Sequence, residues 1–336
     1  MKTEAQSRPT SEIDRSQSQV PGPIPLEPAR CALCNLDDAE PIAVGEDFEY
    51  HTSPDEFLMV KCRRCGLIYL NPRPAAEAYS QIYPDHYHAF QFDAQEFGLS
   101  FKVRRYLETR RLLKWCKGLP EDARILDVGC GDGFHLHLLQ RSGQPGWKLE
   151  GVDLDPRAVT AAVDKGLTVH QGRVEDLNLE PGYHLILMIM TIEHLEDPIQ
   201  VLRSVHDLLV PGGRVVLVTD NVASPDFFFF GGRHWGGYHF PRHTYLFSRK
   251  TLARLADECG LDVVKIKTAM SPVNQVYSIR NWINDWGAPR WLVNRFSLKS
   301  TVSLSFFTLV DMMFSLLGCG AILQATFQRP AQLESK

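Results

Sequence analysis

Apolar residues along this chain fall into short, nearly unbroken runs separated by segments of mixed character. Ile125-Leu-Asp-Val128, Lys148-Leu-Glu-Gly-Val-Asp153, Tyr183-His-Leu-Ile-Leu-Met-Ile-Met190 and Arg214-Val-Val-Leu-Val-Thr-Asp220 are the clearest. Runs of this length suit parallel strands buried on both faces. Phe134–Leu139, Arg157–Lys165 and Thr251–Cys259 read as the helices between them, the last ended by Gly260. Further strands at 167–170, 263–267 and 321–327 complete the alternation. Strand alternating with helix predicts an α/β fold with a central sheet of about seven strands and helices on both faces.

Ahead of this region, Phe97 to Lys117 carries Phe101, Tyr106, Leu112 and Leu113 at helical spacing. The most apolar stretch, Val302 to Phe327, is broken by Asp311, Gly318 and Gly320. Its uncharged part is too short for a bilayer crossing, so it reads as a helix buried against a cap, then a strand; at most it touches a membrane peripherally. Residues 1–28 are polar, with Pro9, Pro21, Pro23, Pro25 and Pro28 and no apolar signal core. They are expected to form a disordered leader, and the protein to be cytoplasmic.

Chemistry enters at Leu126-Asp-Val-Gly-Cys-Gly-Asp-Gly133. Three glycines at alternate positions stop the strand, permit positive φ and let a ligand approach main chain, while the following helix points its first amides at that ligand. The spacing is G-x-G-x-G rather than the G-x-G-x-x-G tuned to a pyrophosphate. Asp127 would repel a diphosphate but suits an ammonium, and Asp153, ending the next strand, is placed for ribose hydroxyls. An ammonium site beside a ribose site describes S-adenosylmethionine.

Together with Gly151-Val-Asp-Leu-Asp-Pro156, Ile192-Glu-His-Leu-Glu-Asp-Pro198 and Leu209-Val-Pro-Gly-Gly-Arg214, this loop makes residues 100 to 330 resemble the class I S-adenosylmethionine-dependent methyltransferases. The resemblance implies a Rossmann-like domain over 121–336. It implies cofactor contacts at Asp127, Gly129, Cys130, Gly131, Gly133, Asp153, Leu154, Val174, Glu175 and Thr191. Arg173 stands where the family usually has a small acidic residue. The buried run ending at Met190 delivers Glu193 and His194 to the carboxyl edge of the sheet, where such folds bind ligands. Both are candidate catalytic residues; helix-start and loop-fixing hydrogen bonds are the competing roles.

Cys31-Ala-Leu-Cys34 and Cys62-Arg-Arg-Cys65 form two C-x-x-C knuckles enclosing 27 residues. Two knuckles can close a tetrahedron around a structural zinc ion; a redox pair of dithiols is the alternative. The pattern Cys62-x-x-Cys-Gly-Leu-Ile-Tyr-Leu-Asn-Pro-Arg-Pro74 resembles methyltransferases with an N-terminal zinc ribbon, a group that includes sugar C-methyltransferases and enzymes of envelope-glycan and secondary-metabolite pathways. A zinc-binding module is therefore expected over 29–75, with a linker and leading helix over 76–120. In relatives a tyrosine of such a linker folds over the cofactor, which the resemblance implies for Tyr83 or Tyr87; a surface linker with packed aromatics is the competing reading.

From Ser224 to Phe247 aromatics crowd onto glycines, with Trp235, Tyr238 and the histidines 234, 239 and 243. This segment, about 222–248, and the tryptophan-rich stretch 270–318 read as a substrate cap. Sugar C-methyltransferases place a glutamate base before the histidine of Phe240-Pro-Arg-His243, whereas this chain has Arg242. Arginine stays protonated and cannot be that base, which demotes C-methylation. His243 or His194 then takes a proton from a hydroxyl or amine, while Arg242, His239, Trp235 and Tyr238 contact the substrate.

With 336 residues and 44% hydrophobic content the chain can bury a substantial core, and a formal net charge of −4 argues against sequence-independent nucleic-acid binding. The expected function is O- or N-methylation of a sugar or related metabolite, free or nucleotide- or lipid-linked. A cofactor-binding but inactive scaffold is the reading from another class.

Overall fold

The computed structural model describes residues 22–84, 87, 94–297 and 300–331. Most of the expected leader and the linker histidines 86 and 88 lie outside the described residues. The strands are β1 (Leu26–Glu27), β2 (Ala39–Gly45), β3 (Phe57–Cys62), β4 (Ile68–Leu70), β5 (Arg73–Pro74), β6 (Arg124–Val128), β7 (Lys148–Asp153), β8 (Thr168–Gln171), β9 (Tyr183–Ile189), β10 (Leu209–Asp220), β11 (Tyr245–Leu246), β12 (Asp262–Ala269) and β13 (Ile322–Gln328). The helices are α1 (Tyr79–Ile82), α2 (Ala94–Trp115), α3 (Phe134–Ser142), α4 (Pro156–Val163), α5 (Pro198–Leu208), α6 (Pro225–Phe230), α7 (Arg249–Glu258), α8 (Val273–Asp285), α9 (Arg290–Val293) and α10 (Thr301–Leu316).

The expected seven-stranded sheet is present, in the order β12-β13-β10-β9-β6-β7-β8. Its strands are parallel except β13, which runs antiparallel to both β10 and β12. Continuous apolar runs put Leu126, Ile186, Met188 and Leu217 in a fully buried core with Leu252, Leu255 and Phe327. Each such side chain contributes about 1.5–3 kcal/mol by leaving water. The order reverses between β9 and β6, so the Asp127, Asp153, Thr191 and Asp220 ends of the strands open on one crevice.

The N-terminal region is less separate than its sequence suggests. β2, β3 and β4 form a sheet whose fourth strand is β11, contributed by residues 245–246 of the C-terminal half. Cys31, Cys62, Cys65 and Tyr69 share a core cluster with β9 and β10. The boundaries at 28 and 75 therefore do not mark an independent bead. Gly22–Pro28, expected within the leader, is folded: Ile24 is buried and β1 pairs with β5.

Within the second stretch expected to form a cap, 270–318, α8, α9 and α10 are inserted between β12 and β13; the first, about 222–248, holds α6 and β11. The helix and strand expected within Val302–Phe327 are both there, but the helix is not buried. Of the sixteen residues of α10, Asp311 alone is buried. No described helix is long and apolar enough to cross a membrane.

Candidate active site

β6 ends at Val128, and Gly129, Gly131 and Gly133 take φ of 72°, 55° and 77°, as the spacing predicts. A Cβ on Gly129 would lie 2.6 Å from the Thr191 side chain, so glycine is needed there for close packing as well as for its backbone. Thr191 donates its hydroxyl to Val128 O at 3.0 Å and ties this loop to the end of β9. Asp127 is 1% exposed, and neither carboxylate oxygen has a hydrogen-bond partner among the described residues; His135 Nδ1 lies 3.7 Å away. A buried carboxylate without hydrogen bonds costs several kcal/mol, and such an environment favours a cationic neighbour. Cys130 packs beneath the loop, where burial and the Asp127 charge push its thiol well up.

Asp153 accepts the Gly131 amide at 2.8 Å on Oδ2 and the Asp155 amide at 2.9 Å on Oδ1. Burial raises its carboxyl against those two bonds, and each oxygen keeps further lone pairs for a ribose. Val174 is buried, Glu175 half-buried with its carboxyl raised by burial, and Leu154 is exposed. Arg173, unusual for its position, is engaged by Glu196 through two bonds of 2.6 and 2.8 Å.

On the opposite side of the crevice, Glu193 is fully buried; Oε2 accepts from Thr219 at 2.9 Å and Oε1 has no partner among the described residues. Asp220, at the end of β10, is equally buried and accepts Asn274 Nδ2 at 2.7 Å. Burial pushes both carboxyls far up, with the Asp220 charge adding to it at Glu193 and the Asp226 and Glu49 charges adding to it at Asp220, so the pair holds at least one proton near neutrality. Sequence reasoning missed Asp220, although its place at a strand's carboxyl end was a usable signal. Because the folded values are raised, this pair stabilises the fold below the unfolded carboxyl range, and that stabilisation is lost as pH rises through the folded values. Glu193→Gln is therefore expected to exceed the wild-type thermal stability at pH 8 by about 1–3 kcal/mol. The gap should close by pH 5 in scanning calorimetry; a gap that widens in acid would contradict the assignment.

His194 and His243 meet edge to face, with centroids 4.7 Å apart. His243 Nδ1 lies 2.8 Å from Gly237 O, and His194 Nδ1 lies 3.1 Å from both Arg242 O and Tyr83 Oη. A carbonyl only accepts, so in each neutral ring the proton sits on Nδ1 and Nε2 is the basic atom. Burial, and then the neighbouring His194 and His239, hold His243 well below the ordinary imidazole value. Glu193, His194 and His243 bring one donor atom each within 4.8 Å of one another, a set able to receive a proton or a divalent cation.

The four residues expected to contact substrate all have partners within the protein. Arg242 is 1% exposed and its guanidinium is committed to Asp47 at 2.9 and 3.1 Å, to Ile82 O at 2.7 Å and to Phe240 O at 3.0 Å. It locks the β2–β3 connection onto the site and has no face left for a substrate phosphate. Trp235 gives its indole N–H to Asp226 at 2.7 Å, and Tyr238 its hydroxyl to Gly231 O; both rings are core. His239 pairs through Nδ1 with Glu49 at 2.9 Å. No local sequence pattern marks Asp47 and Glu49, because their partners lie almost two hundred residues away.

Tyr83 and Tyr87 both lie near these residues. Tyr87 packs on Ala158 of α4, just beyond Asp153, and Tyr83 Oη lies beside His194. Among the four phenylalanines, Phe227 and Phe230 pack against the core while Phe228 and Phe229 are exposed. Apart from this crevice, Cys31, Cys34, Cys62 and Cys65 bring their sulfurs within 4.8 Å of one another, with Cys31 and Cys65 at 3.4 Å.

Comparison with known proteins agrees with the geometry. The family described as a methyltransferase domain matches residues 102–266. The ubiquinone biosynthesis O-methyltransferase of Nitrosospira multiformis is 31% identical over 170 residues, 46% of this chain and 70% of the relative. Its counterpart in Bordetella avium is 29% identical over 185 residues, covering 50% and 75%. Phosphoethanolamine N-methyltransferase 2 of Haemonchus contortus, solved with S-adenosyl-L-methionine, is 16% identical with a TM-score of 0.50, covering 88% of this chain and 69% of that one, and shows the same fold. With the matched methyltransferase domain, these relatives and the shared fold, the chain belongs to the class I S-adenosylmethionine-dependent methyltransferases.

Proposed function

We propose that the protein methylates a hydroxyl of a small molecule, with His243 as the group that receives the displaced proton. The observation that supports this is the pair of imidazoles, buried His243 and half-buried His194, each with Nδ1 on a backbone carbonyl and each with a ring nitrogen within 4.8 Å of the Glu193 carboxylate at the carboxyl edge of the sheet. S-adenosylmethionine supplies an electrophilic methyl group; the protein orients the acceptor and excludes water from it. His243 Nε2 takes the proton as the acceptor oxygen attacks, and the adjacent Asp220, 3.5 Å from the ring, stabilises the imidazolium.

The relatives' name favours oxygen as the methylated atom over nitrogen. It lends nothing to a sugar or lipid-linked glycan, so ring hydroxyls belong in the acceptor panel beside sugars. Labelled S-adenosylmethionine incubated with catechols, nucleotide sugars and amines, followed by mass spectrometry, tests the class of acceptor. His243→Gln is expected to lower kcat by about 10²–10⁴ with cofactor affinity unchanged. Since the folded His243 value is depressed, the wild-type base should stay neutral and active below pH 6.5. Unaltered turnover in the variant would remove His243 from the reaction.

We further infer that Cys31, Cys34, Cys62 and Cys65 hold one structural zinc ion. Tetrahedral Zn–S bonds of about 2.3 Å need sulfurs spaced as these are, and a closed four-thiolate set leaves no open position for catalysis. One zinc per chain is expected by atomic absorption, with chelation lowering the thermal midpoint while Asp153 and its surroundings still bind cofactor. Metal-free protein with an intact fold, or a disulfide between the pairs, would refute this.

A further inference from the structure

α10 presents its apolar side outward. Val302, Phe306, Leu309, Met313 and Leu316 recur every three or four residues along one stripe and are 59–82% exposed. The helix carries no Lys, Arg or Glu, and its single charge, Asp311, points the other way. That carboxylate accepts Ser271 N at 2.7 Å, Gln275 Nε2 at 3.2 Å and Ala321 N at 3.1 Å. Rolling the stripe inward would strand a buried carboxylate and three donors, so the fold holds this face to the outside.

The surroundings say what covers it. α9 and the turn after it add the exposed Trp291 and Arg290 and the exposed Arg295, whose carbonyl accepts Ser303 Oγ at 2.6 Å, so this corner abuts the start of α10. Trp286, 73% exposed, meets Trp282 in a tilted contact, centroids 4.5 Å apart, at the end of α8, which packs against α10. Tryptophan with arginine at the edge of an apolar helix suits the headgroup layer of an anionic membrane, where the rings sit at the interface and the guanidiniums meet lipid phosphate. Thr301, Ser305, Met312 and Leu317 flank the stripe along the helix, and Arg290 and Arg295 add positive charge at one end, the sign that an anionic lipid surface attracts. At sixteen residues the helix spans about 24 Å, short of a bilayer core, so it lies along the surface.

We propose that α10, with Trp286, Trp291, Arg290 and Arg295, docks this methyltransferase onto the surface of an anionic lipid bilayer. α8 links this face to the crevice, since its Asn274 holds Asp220 and its Ser278 accepts the Gly236 amide at 2.9 Å. Docking therefore sets the cap, and the site beneath it, against the membrane whichever acceptor is used.

Flotation of the full chain with phosphatidylcholine vesicles containing about one-third phosphatidylglycerol tests this. Wild type is expected to float, with Phe306→Glu/Leu316→Glu lowering the partition coefficient at least about tenfold and still binding S-adenosylmethionine. Arg290→Gln/Arg295→Gln should weaken binding several-fold and flatten its salt dependence. Failure of the wild type to float, or equal flotation of the glutamate variant, overturns the proposal. So does a dimer in light scattering that the glutamate variant abolishes while vesicles bind neither protein, since a second copy would then cover the stripe.

Discussion

Asp127→Asn is expected to raise the stability of the cofactor-free protein while removing most of its affinity for S-adenosylmethionine. The carboxylate is buried with both oxygens unpartnered among the described residues, so the free protein carries an uncompensated charge. An isosteric amide removes the charge, and the gain should be about 1–4 kcal/mol in urea unfolding. In the bound state the same charge faces an ammonium in a desolvated crevice. Losing one member of a buried charge pair costs about 3–4 kcal/mol, or roughly 10²–10³ in dissociation constant by calorimetry. The two effects have opposite signs, which separates this role from a merely structural one: a structural aspartate would lose stability on substitution. A destabilised Asp127→Asn that binds cofactor normally would disprove the ammonium contact.

Much of the sheet was legible because buried parallel strands need long apolar runs, and Ile125–Val128, Tyr183–Met190 and Arg214–Asp220 supply them. The glycine loop was legible because its constraint is local: positive φ at 129, 131 and 133 follows from three glycines in eight residues. The acceptor side was not. Arg242 was expected to contact the substrate because a guanidinium fork suits a phosphate or carboxylate, but the carboxylate it meets is Asp47, from the other end of the chain. β11 joined the N-terminal sheet for the same reason, since two residues carry no periodicity to read. α10 was expected to be buried, as apolar helices usually are; Asp311 decides otherwise by anchoring the opposite side.

Arg242→Ala is expected to cost about 3–5 kcal/mol of stability, because it leaves Asp47 as a lone charge in a site from which water is excluded. Burial alone would raise the Asp47 carboxyl, but the Arg242 hydrogen bonds and charge outweigh it and hold the group well below the carboxylate range. The linkage sign follows. A depressed folded value gives stability that is present above the unfolded value of 3.8 and lost as pH falls through the folded one. The gap between wild type and Arg242→Ala should thus be constant from pH 5 to 8 and narrow in stronger acid. Arg242→Met combined with Asp47→Leu should recover much of the loss, since apolar replacement of a whole buried pair is often neutral. An anion clamp predicts otherwise: raised KM, little change in unfolding, and no benefit from altering Asp47. The lock also places chemistry. Asp47 gathers the amides of Glu49, Tyr50 and Thr52 at 3.3, 3.0 and 3.0 Å, and Glu49 in turn holds His239 against His243. Partial unfolding of that loop in Arg242→Ala should lower kcat together with stability, and the double variant should restore the fold more fully than the rate.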